Sequence, residues 1–309
     1  MKMKISLYKE NASIEDDNLV SPDVVQNRFG TVYGAYTMLL LERDSGEKFY
    51  IPFHQDANKG YIGIVLTPLE KDEIKSLAKY IFSNYKSVKQ LSCEYSLQKI
   101  SGFTRNYPTN QFHLVLPETK EALWERMSSK SKQTLRRKHN HLLNQFESEP
   151  EFLHYTMAQG IPDEIVEAFF YFKKSLMDRE YGLTAQEYLR QYFVTDAYVW
   201  KIATSSNDSK EKYLSMVFTC EQGQNVYLEN LSYNPSYQKE SPGFLLYSKV
   251  VEELIQKGKK EFFLGRKYRD YKQKFDSINT LCFDSIIFRS FPVYLVFICK
   301  KAIKKIVRS

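Results

Sequence analysis

The sequence predicts an α+β protein of two similar halves, and three observations predict it. At 309 residues the chain is long enough for two domains of about 150 residues each. Runs with strand-like and helix-like spacing alternate along it. The order strands, helix, strand also occurs on both sides of a basic segment. The boundaries this gives are a first domain over residues 1–118, a basic connecting helix over 119–148 and a second domain over 149–309. Both domains are expected to hold mixed, mostly antiparallel sheets flanked by helices.

In the first half, "TMLLLERDSGEKFYIPF" from Thr37 to Phe53 reads as a hairpin that turns at Asp44, Ser45 and Gly46. "YIGIVLTPL" is a further strand. Ile74, Leu77, Ala78, Ile81 and Phe82 then repeat at the spacing of one helix face. "QLSCEYSL" and "QFHLVLP" supply two more strands, and Pro117 closes the second. From Thr119 a long helix is predicted, its early carboxylates suiting a helix N-terminus. Its continuation carries Lys130, Lys132, Arg136, Arg137, Lys138, His139 and His141, which form either a solvated face or an anion-binding one. His139 and His141 are two positions apart and do not share a helical face, which argues against a metal pair.

The second half opens with a helix, "DEIVEAFFYFKKSLMDREYG", started by Pro162 and Asp163. A shorter helix follows Thr184, a hydroxyl N-cap. "AYVWKIAT", "KYLSMVFTCEQG" and "QNVYLENLSYN" form an antiparallel run broken by turn-rich segments. After a polar loop, "PSYQKESPG", Leu246, Val250, Val251 and Leu254 mark a helix that closes at Gly258, and "KKEFFLGRK" is the next strand.

Composition narrows the function. Hydrophobic residues make up 43%, with 23 Tyr and 21 Phe, which is a globular rather than a disordered balance. A net charge of +7 suits an anionic partner. Cys93, Cys220, Cys282 and Cys299 lack C-x-x-C spacing, so neither a disulfide framework nor a zinc site is indicated. With no apolar leader in "MKMKISLYKENASIEDD", a cytoplasmic location is expected. The chain contains no Walker loop and no G-x-S-x-G elbow. "SIIFRSFPVYLVFIC" is interrupted by Arg289 and Pro292 and is too short to span a bilayer. Lys300, Lys301, Lys304, Lys305 and Arg308 follow it, so residues 291–309 either pack on the body or make peripheral contact with an anionic membrane face.

The strand–loop–helix–strand segment around Ser241 is the candidate site. A helix start offers N–H groups and a positive dipole end to an anion. Here Gly243 would let a phosphate approach the backbone; the alternative is an ordinary N-terminal turn with Ser241 as cap and Pro242 in the first turn. "LWERMSSKSKQTLRRKHNHL", "LENLSYNPSYQKESPGFLLYSKVVEELIQKG" and "EFFLGRKYRDYKQKF", within about residues 120–276, resemble the GNAT acyltransferase superfamily. They are closer still to the CelD-type acyltransferases of bacterial polysaccharide gene clusters. Those proteins are in turn similar to the FemABX peptidyltransferases, which have two GNAT-like halves.

The resemblance implies two tandem GNAT-like domains, acyl-CoA (acetyl-CoA first) as co-substrate, and N-acyl transfer without a metal. It implies an amino group of a sugar or glycan precursor in surface polysaccharide synthesis as acceptor. A FemABX-like reaction using aminoacyl-tRNA, or a non-catalytic RNA- or anion-binding role, is the alternative. Ser241, Pro242, Gly243, Phe244 and Leu245 match the start of the family's cofactor helix; Gly265, Arg266, Tyr271, Lys272 and Phe275 match the element after the next strand. "LGRKYRDYK" departs from the pattern in lacking the acidic residue often found near that glycine.

Acyl transfer to an amine needs a base for the amine proton, donors for the oxyanion and an acid for the leaving thiolate. Glu229 is the candidate base and Tyr271 the candidate acid. Arg136, Arg137, Arg266 and Lys272 are candidates for holding substrate anions. The alternatives are a strand carboxylate paired with lysine for Glu229, a packed ring for Tyr271 and a surface charge for Lys272.

Overall fold

The computed structural model describes residues 3–8, 35–46, 48–63, 69–204, 208–266 and 270–306. Its strands in chain order are β1 (Met3–Leu7), β2 (Thr37–Arg43), β3 (Lys48–Asp56), β4 (Lys59–Ile62), β5 (Gln90–Ser96), β6 (Thr104–Val115), β7 (Glu151–Thr156), β8 (Asp196–Lys201), β9 (Tyr213–Gln222), β10 (Asn225–Tyr233), β11 (Glu261–Arg266) and β12 (Ile278–Phe288). The helices are α1 (Lys71–Asn84), α2 (Lys120–Arg126), α3 (Ser129–Leu143), α4 (Asp163–Met177), α5 (Ala185–Leu189), α6 (Ser209–Lys212), α7 (Pro242–Gln256), α8 (Asp270–Gln273) and α9 (Phe291–Ile306), with a 3-10 segment over Pro235–Glu240. Of the described residues, those through Asn110 and from Leu281 onward cluster as one unit, and those from Gln111 to Thr280 as a second.

In the first unit the strands lie in the order β1-β2-β3-β4-β5-β12. All neighbours are antiparallel except β4 and β5, because α1 forms the crossover between those two. The predicted hairpin is present, with Gly46 in the left-handed region its turn requires (φ +85°). Leu39, Leu41, Ile51 and Phe53 from the strands meet Ile74, Leu77 and Ile81 from α1 in one buried core. At the start of α1, Glu70 and Glu73 form a reciprocal capping box. Glu73 is fully buried and takes a two-pronged ion pair from Arg43, at 2.6 and 3.0 Å.

The second unit has the order β6-β11-β10-β9-β8-β7. Again a single pair, β10 and β11, is parallel, and α7 makes the crossover. Leu246, Tyr247, Val250, Val251 and Leu254 of α7 pack with Tyr198, Trp200, Phe262 and Phe112 in the largest core. The α+β class and the mixed, mostly antiparallel sheets expected from the sequence are therefore present.

The partition differs from the expected one in two places. Residues from Leu281 onward go with the first unit, because β12 pairs with β5 from Phe283 opposite Ser96 to Phe288 opposite Gln90. A pairing between segments so distant in sequence leaves no local pattern to read. The basic segment is two helices inside the second unit rather than one connector. Met127 is extended, Ser128 caps α3 by accepting from the Ser131 N–H at 3.1 Å, and Leu135 and Leu142 are buried in the core. Among the described residues no helix is long and apolar enough to cross a membrane.

Candidate active site

The site begins as a fault in the second sheet. β10 and β11 are paired only over Asn225–Tyr227 and Glu261–Phe263. Beyond that point each strand carries one residue too many for its outer neighbour. Glu229 is the extra residue of β10 against β9, and Leu264 that of β11 against β6. Bulges increase the local twist and bend a strand, and here Leu228–Leu231 of one strand and Leu264–Arg266 of the other border the same cavity, of about 1000 Å³.

Opening two paired strands leaves carbonyls that need donors. A lysine serves each edge. Lys173 of α4 donates to Leu231 O at 3.0 Å and to Asn230 Oδ1 at 2.7 Å. Lys272 of α8, 2% exposed, donates to Gly265 O at 3.2 Å and Arg266 O at 2.8 Å, with its ammonium 5.2 Å from the centre of the Phe112 ring. Lys272 is thus not a surface charge: its ammonium bonds the end of the strand and also lines the cavity. Gly265 has φ +70°, which explains the glycine at this position by conformation.

The start of α7 forms another wall of the cavity. Ser241 sits at the N-cap in a left-handed conformation (φ 58°, ψ 55°), and its side chain makes no capping bond. Its hydroxyl instead accepts from Lys138 Nζ at 2.7 Å, and the same ammonium donates to Lys239 O at 3.1 Å. Partial burial, followed by the charges of Lys274 and Arg137, pushes the Lys138 pKa down, with Glu240 opposing. Glu240, just upstream, lies 3.4 Å from His141. Phe244 lines the cavity beneath Lys274, whose ammonium is 4.7 Å from the ring centre, and packs on Phe275 at 5.6 Å.

Gly243 lines the cavity, but its reason differs from the expected one. A Cβ there would come within 2.7 Å of Leu231 Cδ2 and 3.0 Å of Tyr233 Cδ1, so the missing side chain lets α7 approach β10 rather than making room for a phosphate. Pro242 is buried at the first helical position, and its carbonyl accepts from Ser215 Oγ at 3.2 Å. Leu245 points away from the cavity, into the core and a second pocket.

Glu229, Arg266 and Lys272 are brought together in the cavity lining, with Ser241, Gly243 and Phe244. The Glu229 carboxylate accepts from the Phe193 N–H at 3.1 Å, which fixes its position. Among the described lining residues four are cationic (Lys173, Arg266, Lys272, Lys274) and one, Glu229, is acidic, so the cavity suits an anionic ligand. Arg136 instead lines a separate pocket of about 310 Å³ with Trp124, His139 and Lys249, and Arg137 is exposed. The side chain of Tyr271 lies outside the described residues.

Sequence reasoning named Lys138 only within the basic run, singled out Arg136 and Arg137 from it, and missed Lys173 and Lys274. Only the docking of α3 on the 3-10 segment selects Lys138 from its basic run. His154, Asp196 and Glu221 also converge closely enough for a metal, but Lys257 Nζ lies 3.2 Å from Glu221 Oε1 and 3.4 Å from His154 Nε2. An ammonium already supplies the positive charge there.

Three solved structures share the fold. FemX matches with a TM-score of 0.57 at 9% identity over 85% of this chain and 90% of that one. A conserved protein of Bacteroides thetaiotaomicron gives 0.56 at 10% identity over 88% and 93%. The C-terminal DUF2156 domain of an Agrobacterium fabrum protein gives 0.53 at 11% identity over 89% and 94%. No curated relative matches the chain. Residues 129–273 match the family model described as an acetyltransferase (GNAT) domain. That span runs from α3 to α8 and contains the split strands, the bulge carboxylate and the start of α7, so the part of the chain that is similar to a GNAT acetyltransferase domain is the part that builds the cavity just described.

Proposed function

We propose that the second unit is an acyl-CoA-dependent N-acyltransferase whose acceptor is an amino group on a sugar or glycan precursor, acting in the cytoplasm in surface polysaccharide synthesis. The observation that carries the reading is the cavity between β10 and β11, with one fixed carboxylate inside and cations around it. The GNAT match over the same residues supports acyl-CoA as co-substrate. The acceptor class rests on the resemblance to CelD-type proteins.

The residues present fit such a ligand. Lys138 and Lys274 at the start of α7 would hold its phosphates, together with the positive end of that helix. Bound there, the co-substrate supplies an activated thioester. Glu229, at the bulge, takes the proton from the attacking amine, directly or through one water. Arg266 holds an anionic group of the acceptor. Tyr271 is assigned the protonation of the departing thiolate. Lys173 and Lys272 keep the two strand edges apart and in register.

Calorimetry of the full chain with acetyl-CoA tests the first step. Saturable binding that weakens about tenfold when Lys274 is changed to Gln is expected. Absence of any heat from the parent chain, with binding of aminoacyl-tRNA in a parallel titration, would transfer the site to a peptidyl-transfer reaction.

A further inference from the structure

The helix α9 presents an apolar surface that the first unit does not cover. Phe291, Leu295, Val296 and Ile303 are 48–60% exposed, and with exposed Cys299 they share one side of the helix. The inner side is held by Tyr294 and Phe297, whose rings lie 5.4 and 4.9 Å from that of Phe288. Beside α9 runs a groove of about 900 Å³, whose lining includes Pro292, Val293, Val296, Phe297 and Ile303. Lys59, Lys89, Lys300 and Lys301 also line it, with Asn58 and Gln90. Among the described residues none of these four lysines forms an ion pair with a carboxylate, and the described groove lining contains no acidic side chain.

We infer that α9 and this groove dock on the surface of a bilayer containing anionic phospholipid. An apolar stripe beside a row of ammonium groups matches the acyl boundary and the phosphates of such a surface. A second copy of this chain would bring the same four lysines against their own images, which disfavours it as occupant. At 16 residues the helix is too short to cross, so it would lie in the interface plane. This inference is independent of the acyltransferase reading, since it uses residues of the first unit only.

Flotation of the full chain with vesicles tests it. One set holds phosphatidylcholine alone, and another holds a third phosphatidylglycerol. Binding is expected only to the second, falling when salt is raised from about 0.1 M to about 1 M. Lys300→Gln and Lys301→Gln should each weaken it about fivefold, and Leu295→Glu with Val296→Glu should abolish it while circular dichroism stays unchanged. Labelling of Cys299 by a water-soluble maleimide should slow in the presence of the anionic vesicles. No flotation with either lipid overturns the inference. So does equal flotation with both, or a dimer by light scattering that the glutamate pair dissolves, which would make a second copy the occupant.

Discussion

The two units run one topology with opposite chemistry at the corresponding place. Each lays out four antiparallel strands, crosses by a helix to a parallel fifth and closes with an antiparallel sixth. In the first unit the crossover helix α1 begins with carboxylates: Glu70 caps, and Asp72 and Glu73 follow in the first turn. In the second, α7 begins with Ser241, Pro242 and Gly243, has no acid in its first turn and is approached by Lys138. The strands differ as well. β4 pairs with β3 without interruption, whereas β10 has its bulge at Glu229. A shared fold therefore does not carry the site. One helix end is neutralised by carboxylates of its own first turn, and the other has none there and is the end proposed to take an anion.

The largest expected effect breaks the comparison at the bulge. Glu229→Gln keeps an acceptor for the Phe193 N–H but removes the proposed base, so kcat should fall about 10²- to 10⁴-fold. The KM for acetyl-CoA should hold, and the split between the two constants is the test. An equal loss in both would assign Glu229 to binding.

Next comes the first unit. Glu73→Ala breaks the ion pair with Arg43 and removes half of the capping box. It should destabilise by about 3 kcal/mol, because it breaks an ion pair whose carboxylate is fully buried. Chemical denaturation measures this loss. Acetyl-CoA affinity should be unchanged, since α1 has no part in the cavity; a parallel loss of affinity would mean that the helix ends are not independent.

A smaller change makes α7 resemble α1. Ser241→Asp is tolerated by the left-handed backbone and places a carboxylate against Lys138. The ion pair should hold or raise the unfolding midpoint while acetyl-CoA affinity falls about thirtyfold. Stability and binding moving in opposite directions is the signature; a joint fall would point to misfolding.

Much of this contrast was legible in the sequence. Pro242, Gly243 and the apolar spacing of Leu246, Val250 and Leu254 placed α7, and the alternation in "VYLENLSYN" placed β10. Those are local signals, set by period and capping. What stayed hidden depends on distant partners. The bulge at Glu229 exists only in register with β9. The burial of Lys272 depends on the carbonyls that β11 exposes when it leaves β10. The choice of Lys138 over Arg136 and Arg137 is a matter of helix rotation, since neighbouring positions on α3 face about 100° apart. The sequence carried the charges, and tertiary packing decided which of them reached Ser241.

That choice yields the smallest predicted effect and the sharpest test of the cationic wall. Burial, Lys274 and Arg137 lower the Lys138 pKa, so its ammonium is lost at a lower pH than that of an ordinary lysine, near 10.4. An anion at α7 favours the charged form, so Lys138 contributes fully to affinity below its free-site pKa, and that contribution fades as pH rises through the pKa of the complex. In the alkaline region where free Lys138 is partly neutral, acetyl-CoA should therefore bind with proton uptake, seen by calorimetry in buffers of different ionisation heat. Lys138→Gln should cost about tenfold in affinity at neutral pH and remove most of that uptake. Proton uptake that survives the substitution unchanged would place the titrating cation elsewhere in the wall and leave Ser241 with a structural lysine beside it.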